Sequence, residues 1–225
     1  MGNEASKTRE LWGNTIHEIV KGEGIDIGAG VDLISPTAVR FDLSDGDANK
    51  IDEIVTRKFD YVFSSHCLEH MRDPFDALNR WWKLIKPGGH LILIVPDEDL
   101  YEQGFWPSVF NDDHKWTFTA NESSWSPVSV NIRQLVNTLP RAKIISIETQ
   151  DKNYKRDLLF IKKRGVGTTK MLLRVSRKLN LFLSLFGLSI PQKTLKAVGI
   201  PIDQTSWSAL AQIQVIVQKE LLDTQ

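Results

Sequence analysis

The stretch FDYVFSSHCLEHMRDP, residues 59–74, and its continuation LIKPGGHLILIVPD, residues 84–97, decide the fold. Phe59–Ser65 is almost wholly apolar or small, the pattern of a strand covered on both faces. Asp73-Pro74 reads as a helix start, a carboxylate N-cap followed by proline at the first helical position. Phe75, Leu78, Trp82 and Ile85 then form one apolar stripe at helical spacing, and Pro87-Gly88-Gly89 reads as the stop. His90–Val95 (HLILIV) is a second doubly buried strand, closed by Pro96. Strand, helix and strand in this succession are the unit of a parallel α/β sheet.

Working outward, Leu11–Val20 reads as a helix with Trp12, Ile16, Ile19 and Val20 on one face. Residues 24–30 (GIDIGAG) read as a strand running into a glycine turn, and Ala38–Leu43 as a strand. Val128–Leu139 reads as a helix and Ala142–Thr149 as a strand. Gln212–Gln218 alternates well and reads as the last strand, paired with Ala142–Thr149; Leu158–Ile161 is its rival. The expected fold class is α/β, a mostly parallel sheet with helices on both faces and an antiparallel final hairpin. The whole chain is one domain, with residues 155–205 as a helical insertion in that hairpin. Ligands in such sheets bind beyond the carboxyl ends of the strands, near the topological switch point. The loops to inspect are therefore Asp26–Asp32, Asp42–Asn49, Ser64–His70 and Pro96–Trp116.

The composition sets outer bounds. The chain has 225 residues, 41% hydrophobic and 25% charged, which excludes an intrinsically disordered chain and suits a single globular domain. Its 28 basic and 28 acidic residues balance, which argues against a broad nucleic-acid footprint. One cysteine, Cys67, excludes an internal disulfide and any zinc site built from two cysteines of the chain. Met1–Glu10 has no apolar core of a signal peptide. The longest strongly apolar uncharged run, Leu179–Gln192, has 14 residues. That is short of the roughly 18–20 that span a bilayer. The expected location is the cytoplasm.

The turn Asp26-Ile27-Gly28-Ala29-Gly30 invites a ligand close to its backbone. A dinucleotide site would add a third glycine and an acid about 20 residues on. Here Leu33 stands where that glycine belongs, and the next strand-end acid, Asp42, follows Gly30 by only 12 residues. A ligand without phosphates has no need of the third glycine, and S-adenosylmethionine is one. Asp26 or the glycine backbone can meet its amino-acid end, Asp42 its ribose hydroxyls, and Asp47 its adenine amino group.

Read together, GIDIGAG (24–30), FDL (41–43), GDA (46–48), FDYVFSSHCLEHMRDP (59–74) and LIKPGGHLILIVPD (84–97) resemble a class I S-adenosylmethionine-dependent methyltransferase of the small-molecule type. The resemblance covers about residues 10–150, and a weaker likeness points to a subgroup in glycan biosynthesis. It implies a Rossmann-like sheet of seven strands with an antiparallel final hairpin. It also implies a cofactor lying over Gly28, Ala29 and Gly30, with ribose at Asp42 and adenine at Asp47–Ala48. Ser65 and His66 would line the methyl side. The chain departs from the family pattern between Gly30 and Asp42 and between Asp42 and Asp47. Both segments are too short for a full crossover helix.

Methyl transfer to an oxygen acceptor benefits from a general base, often histidine. His17 and His90 read as structural. His66-Cys67-Leu68-Glu69-His70 has two histidines four apart, but it is not H-E-x-x-H and it follows a strand directly. The expectation is no metal, with Glu69 and His70 orienting the loop and His66 near the methyl group. His114, beside Asp112 and Asp113, is the candidate base, since neighbouring acids raise an imidazole pKa. Tyr101, Trp106, Trp116 and Trp125 lie nearby in sequence and could pack on a sugar ring or on the sulfonium, or simply fill the core.

The zero net charge conceals a division. Residues 158–202 hold nine basic and no acidic side chains, while the rest holds 19 basic and 28 acidic ones. Within residues 168–186, Met171, Val175, Leu179, Phe182 and Phe186 form a helical stripe flanked by Lys170, Arg174 and Lys178. Such a helix suits an anionic membrane surface, a protein partner or a phosphorylated acceptor. The resulting expectation is a methyltransferase acting on a sugar or lipid-linked glycan, peripheral at the inner membrane surface. The alternatives are a methyltransferase of a lipid quinone or other small metabolite, and a non-catalytic cofactor-binding or partner-binding protein.

Overall fold

A computed structural model describes residues 4–12, 16–160, 165–206 and 208–221. Two short helices, α1 (Glu4–Trp12) and α2 (Ile16–Ile19), precede β1 (Gly24–Ile27) and β2 (Ala38–Phe41). After α3 (Ile51–Ile54) come β3 (Phe59–Ser65), α4 (Pro74–Lys83) and β4 (Ile85–Pro96). Then follow β5 (Thr117–Thr119), β6 (Ser129–Asn131), α5 (Ile132–Asn137) and β7 (Ala142–Gln150). The chain closes with α6 (Val166–Ser184), α7 (Gln192–Ala197) and β8 (Gln212–Lys219).

The main sheet has the order β2-β1-β3-β4-β8-β7. The pairs among β2, β1, β3 and β4 are parallel, and β8 runs antiparallel to both β4 and β7. β5 and β6 form a separate parallel pair. The fold class is therefore α/β, mostly parallel, with an antiparallel last part. Among the described residues the main sheet has six strands, not the seven that the resemblance implied. Between β2 and β3 the chain holds only a 3-10 turn, Ala48–Lys50, and the four-residue α3. That is too little chain for a further strand and its crossover.

β4 shows why its sequence is apolar throughout. Leu91, Leu93 and Val95 pack into the core beneath α4, whereas Ile92 and Ile94 join Tyr61, Phe63 and Ile34 on the opposite face. In α4 the Asp73 carboxylate accepts from Phe75 N–H at 2.8 Å and Asp76 N–H at 3.2 Å, the cap read from the sequence. Trp81 and Trp82 are fully buried, and each indole N–H still reaches a carbonyl, of Ala48 at 2.9 Å and of Pro140 at 3.0 Å.

Several element boundaries differ from the expectation. Of the expected helix 11–20, residues 11–12 and 16–19 are helical, and residues 13–15 lie outside the described set. Phe75 is exposed, with Trp81 and Ala77 packing in its stead. α4 ends at Lys83, and Pro87-Gly88-Gly89 lies inside β4. There Gly89 passes so close to the backbone of Asp60 that a Cβ would sit 2.6 Å from its carbonyl oxygen. Val128–Leu139 is strand first, β6, and helix only from Ile132. The last strand is Gln212–Lys219 beside β7, and residues 158–160 are not a strand.

Candidate active site

β1 lies between β2 on one side and β3 on the other, so the strand order reverses there. A cleft of about 970 Å³ opens at the carboxyl ends of these strands. Its wall includes Asp26, Gly28, Ala29, Gly30, Asp42, Asp47, Ala48, Ser65, His66 and His114, so every site residue proposed from the sequence meets there. The N-terminal helix also contributes, through Ala5 and Lys7, as does the approach to β8 through Ala211 and Gln212. Sequence reading did not include these residues, because they come from the two ends of the chain.

Hydrogen bonds shape the glycine turn. Gly28 N–H donates to Phe41 O at 2.8 Å, and Gly30 N–H to Asp42 Oδ2 at 3.0 Å. Gly28 has φ +80°, and a Cβ there would lie 2.8 Å from Cys67 Cβ, so both conformation and space require glycine. Asp26 is buried, and its Oδ2 accepts from Ile34 N–H at 2.8 Å. Burial pushes its carboxyl up to about 7; the Ile34 N–H opposes this, Asp32 adds to it and Arg9 opposes it. Asp42 is held by Gly30 and by Leu43 N–H at 2.8 Å. Asp47 caps the 3-10 turn through Asn49 and pairs with Arg72. The Ser65 hydroxyl is buried and has no hydrogen-bond partner among the described residues.

These features fit the amino-acid and nucleoside ligand expected from the sequence. A buried hydroxyl awaits a partner, a carboxylate is poised to ionise against a cation, and space lies open beside Gly30.

The cleft wall also carries imidazoles and the Glu69 carboxylate. His66 takes φ +53°, a left-handed conformation uncommon outside glycine, where its N–H reaches Ile94 O at 3.0 Å. Its Nε2–H donates to Gln212 Oε1 at 3.1 Å. The Gln212 amide is itself oriented by donating to Gln150 Oε1 at 2.7 Å. His66 Nδ1 lies 3.5 Å from the carboxylate of Glu69, which is fully buried. Burial raises the Glu69 pKa, but His66, His114 and His70 outweigh it, and the carboxyl sits below its usual range.

His114 is buried, and its acid partner differs from the one its sequence neighbours indicated. Its Nδ1–H donates to Glu102 Oε1 at 2.7 Å, and Nε2 lies 3.9 Å from Glu69 Oε1. Asp112 pairs with Lys170 of α6, and Asp113 with His70 at 3.0 Å. Adjacent side chains in a tight turn diverge, so sequence proximity to two acids did not become contact. The His114 ring also packs against Tyr101 and His70, with both centroid distances 5.1 Å. Glu102 had no signal in the sequence, since it lies 12 residues earlier on a short π-helical turn. Of the aromatic group, Tyr101 lines the cleft, while Trp116 and Trp125 give their indole N–H groups to Met71 O and Asp99.

The family described as "Methyltransferase domain" matches residues 5–139. A curated relative, phosphoethanolamine N-methyltransferase 2 of Caenorhabditis elegans, is 20% identical over 173 residues. That match covers 73% of this chain and 35% of the relative, so the chain spans about a third of that protein's length. Two solved structures share the fold. A SAM-dependent methyltransferase from Archaeoglobus fulgidus has TM-score 0.51 at 15% identity, covering 97% of this chain and 95% of that one. The YcgJ protein from Bacillus subtilis has TM-score 0.50 at 12% identity, covering 95% and 99% respectively. The family match over more than half the chain, joined to the sheet order and the cleft it creates, places this chain in the methyltransferase-domain family, with the fold of S-adenosylmethionine-dependent methyltransferases.

Proposed function

We propose that the chain transfers a methyl group from S-adenosylmethionine to a hydroxyl of a sugar or lipid-linked glycan acceptor. The observation that carries this reading is the lining of one cleft. It brings a glycine turn with Asp26, Asp42 and the Ser65 hydroxyl, which has no hydrogen-bond partner among the described residues, together with His66, His114 and Glu69. The cofactor, when bound, supplies a methyl carbon on a positively charged sulfur, which becomes a neutral thioether once the methyl has left. Asp26, Gly28, Ala29 and Gly30 hold its amino-acid end, Asp42 its ribose, Asp47 and Ala48 its adenine, and Ser65 and His66 flank the methyl side. The acceptor oxygen forms its bond to the methyl carbon and gives up its proton. His114, oriented by Glu102, and His66, whose imidazolium Glu69 would stabilise, are the groups placed to take that proton. The acceptor end is lined by His70, Tyr101, Asn111 and Lys115, hydrogen-bonding groups suited to a hydroxyl-rich ring.

The membrane reading rests on α6. No described helix is long and apolar enough to cross a membrane. The stripe Met171, Val175, Leu179 and Phe182, continued by Phe186 just past the end of α6, faces outward, between 47% and 67% exposed, while Leu173 and Ser176 on the opposite side are buried. This geometry supports shallow insertion into an anionic surface, with Lys170, Arg174 and Lys178 beside the apolar stripe. Lys162, Lys163 and Arg164 of the same basic segment lie outside the described residues. The Lys170–Asp112 ion pair ties α6 to the loop that carries His114, so a surface-bound α6 would hold the cleft near a lipid-linked acceptor. The test is calorimetry with S-adenosylmethionine and S-adenosylhomocysteine, followed by transfer of labelled methyl into glycolipid and small-metabolite extracts. Tight binding and label in a glycolipid are expected; absence of binding to either ligand overturns the reading.

A further inference from the structure

We infer that Glu69, His70 and His114 form a binding site for one divalent transition-metal cation at the acceptor end of the cleft. Each of the three offers one ligand atom, and these atoms lie within 4.8 Å of one another. Metal bonds of ~2.1 Å place neighbouring ligand atoms ~3–3.5 Å apart, so closure needs a contraction of roughly 1 Å. The motif H-C-L-E-H alone did not indicate this, because the third ligand comes from a loop 44 residues beyond His70.

Three observations besides proximity point to a cation. First, Glu69 is fully buried, yet among the described residues neither of its oxygens has a hydrogen-bond donor in bonding geometry. His66 Nδ1 lies 3.5 Å and His114 Nε2 3.9 Å from Glu69 Oε1. A buried carboxylate without such a donor is the arrangement a cation relieves. Second, the Nδ1 of each candidate histidine is already engaged. His114 Nδ1–H goes to Glu102 Oε1 at 2.7 Å, and His70 Nδ1–H to the backbone carbonyl of Asp113 at 3.1 Å, with Asp113 Oδ2 3.0 Å away. A carboxylate or backbone carbonyl on Nδ1 sets the tautomer that leaves Nε2 as an electron-pair donor, and metal-binding histidines are oriented in this way. Third, all three residues line the cleft, so the open coordination positions would face the space left for an acceptor.

The ligand set of two imidazoles and one carboxylate selects the cation class. Magnesium and calcium prefer oxygen alone, whereas manganese, iron, cobalt, nickel and zinc accept this mixture. The binding site stands independently of methyl transfer; its role rests on the reading given above. An acceptor hydroxyl bound to the cation would lose its proton more readily, and with His114 Nε2 on the metal, His66 is left to take that proton.

The test uses the full, tag-free chain, stripped with chelator and titrated with Co²⁺ while its visible spectrum is recorded. One equivalent should produce the absorption of imidazole-coordinated cobalt. Glu69→Gln, His70→Ala and His114→Ala should each weaken Co²⁺ binding at least ~100-fold, and Glu102→Gln ~10–100-fold because Glu102 orients the His114 ring. His90→Gln, on β4 away from the cluster, should leave it unchanged. S-adenosylhomocysteine binding by calorimetry is measured on every variant as an independent check of fold. Intact S-adenosylhomocysteine binding without a Co²⁺ signal overturns the cation site and leaves the methyl-transfer reading standing. A Co²⁺ signal that survives His70→Ala and His114→Ala also overturns it. A signal lost in those variants, in a chain that never binds S-adenosylhomocysteine, supports the cation site and overturns the methyl-transfer reading.

Discussion

His114 Nδ1 lies 2.7 Å from Glu102 Oε1, and both side chains are almost fully buried. The contact fixes the imidazole tautomer and directs the other ring nitrogen toward Glu69. Glu102→Gln keeps the shape and removes the charge. The expected result is a methyl-transfer rate lowered ~10²–10⁴-fold for His114→Ala and by a smaller factor for Glu102→Gln. S-adenosylhomocysteine affinity should stay within about twofold, since neither residue belongs to the glycine turn. Single-turnover transfer and calorimetry, run on the same preparations, separate the two quantities.

Gly28 and Gly30 share a turn but predict different outcomes. At Gly28 any side chain meets Cys67, with its Cβ 2.8 Å from Cys67 Cβ, and the backbone has φ +80°. Gly28→Val should abolish cofactor binding and lower stability by roughly 1–3 kcal/mol. At Gly30, among the described residues beyond its chain neighbours, no atom lies within 4 Å of the position a Cβ would take, and the cost is the left-handed backbone alone, φ +58°. Gly30→Ala should cost about 1–2 kcal/mol of stability. Thermal unfolding and titration with S-adenosylmethionine check both; unchanged affinity in Gly28→Val would move the site elsewhere.

Asp26 is expected to make both stability and cofactor binding depend on pH. Its carboxyl rises from 3.8 to about 7 on folding, so between those values the native state holds the extra proton. Its contribution to stability is fully present below about pH 4 and is lost as pH rises through 7. Binding of a cationic amino-acid group runs the opposite way, because it needs the ionised carboxylate. Cofactor affinity should therefore weaken as pH falls from 8 to 6, by up to tenfold per pH unit. Asp26→Asn, which still offers Ile34 N–H an oxygen, should flatten both dependences. Calorimetric titrations and denaturant melts across this pH range supply the comparison.

The outward face of α6 predicts a surface phenotype without a folding phenotype. Val175, Leu179 and Phe182 are exposed, so changing all three to Asp should shift stability by no more than about 0.5 kcal/mol per site. Sedimentation with anionic vesicles at low salt should fall to background. Equal sedimentation of the triple variant and the parent would assign the basic helix another purpose.

Much of this protein is legible in its sequence because the deciding signals are local. Phe59–Ser65 and His90–Val95 are apolar at every position or nearly so because helices cover both sides of the sheet. Asp73-Pro74 and the glycines of the first turn are short-range constraints of capping and backbone conformation, written within a few residues. These elements, and the strand ends they imply, led to the cleft and to each of its sequence-derived residues. What no local signal encodes was decided by tertiary structure alone. Glu102 rather than Asp112 meets His114, Gln212 from the last strand orients His66, and Glu69 brings three imidazoles around one buried carboxylate. The stripe on α6 shows the same limit, since helical periodicity marks an apolar face but not the side to which it turns. Periodicity, caps and turns depend on the chain's own neighbours; partnerships and exposure depend on which distant segments the closed sheet brings together.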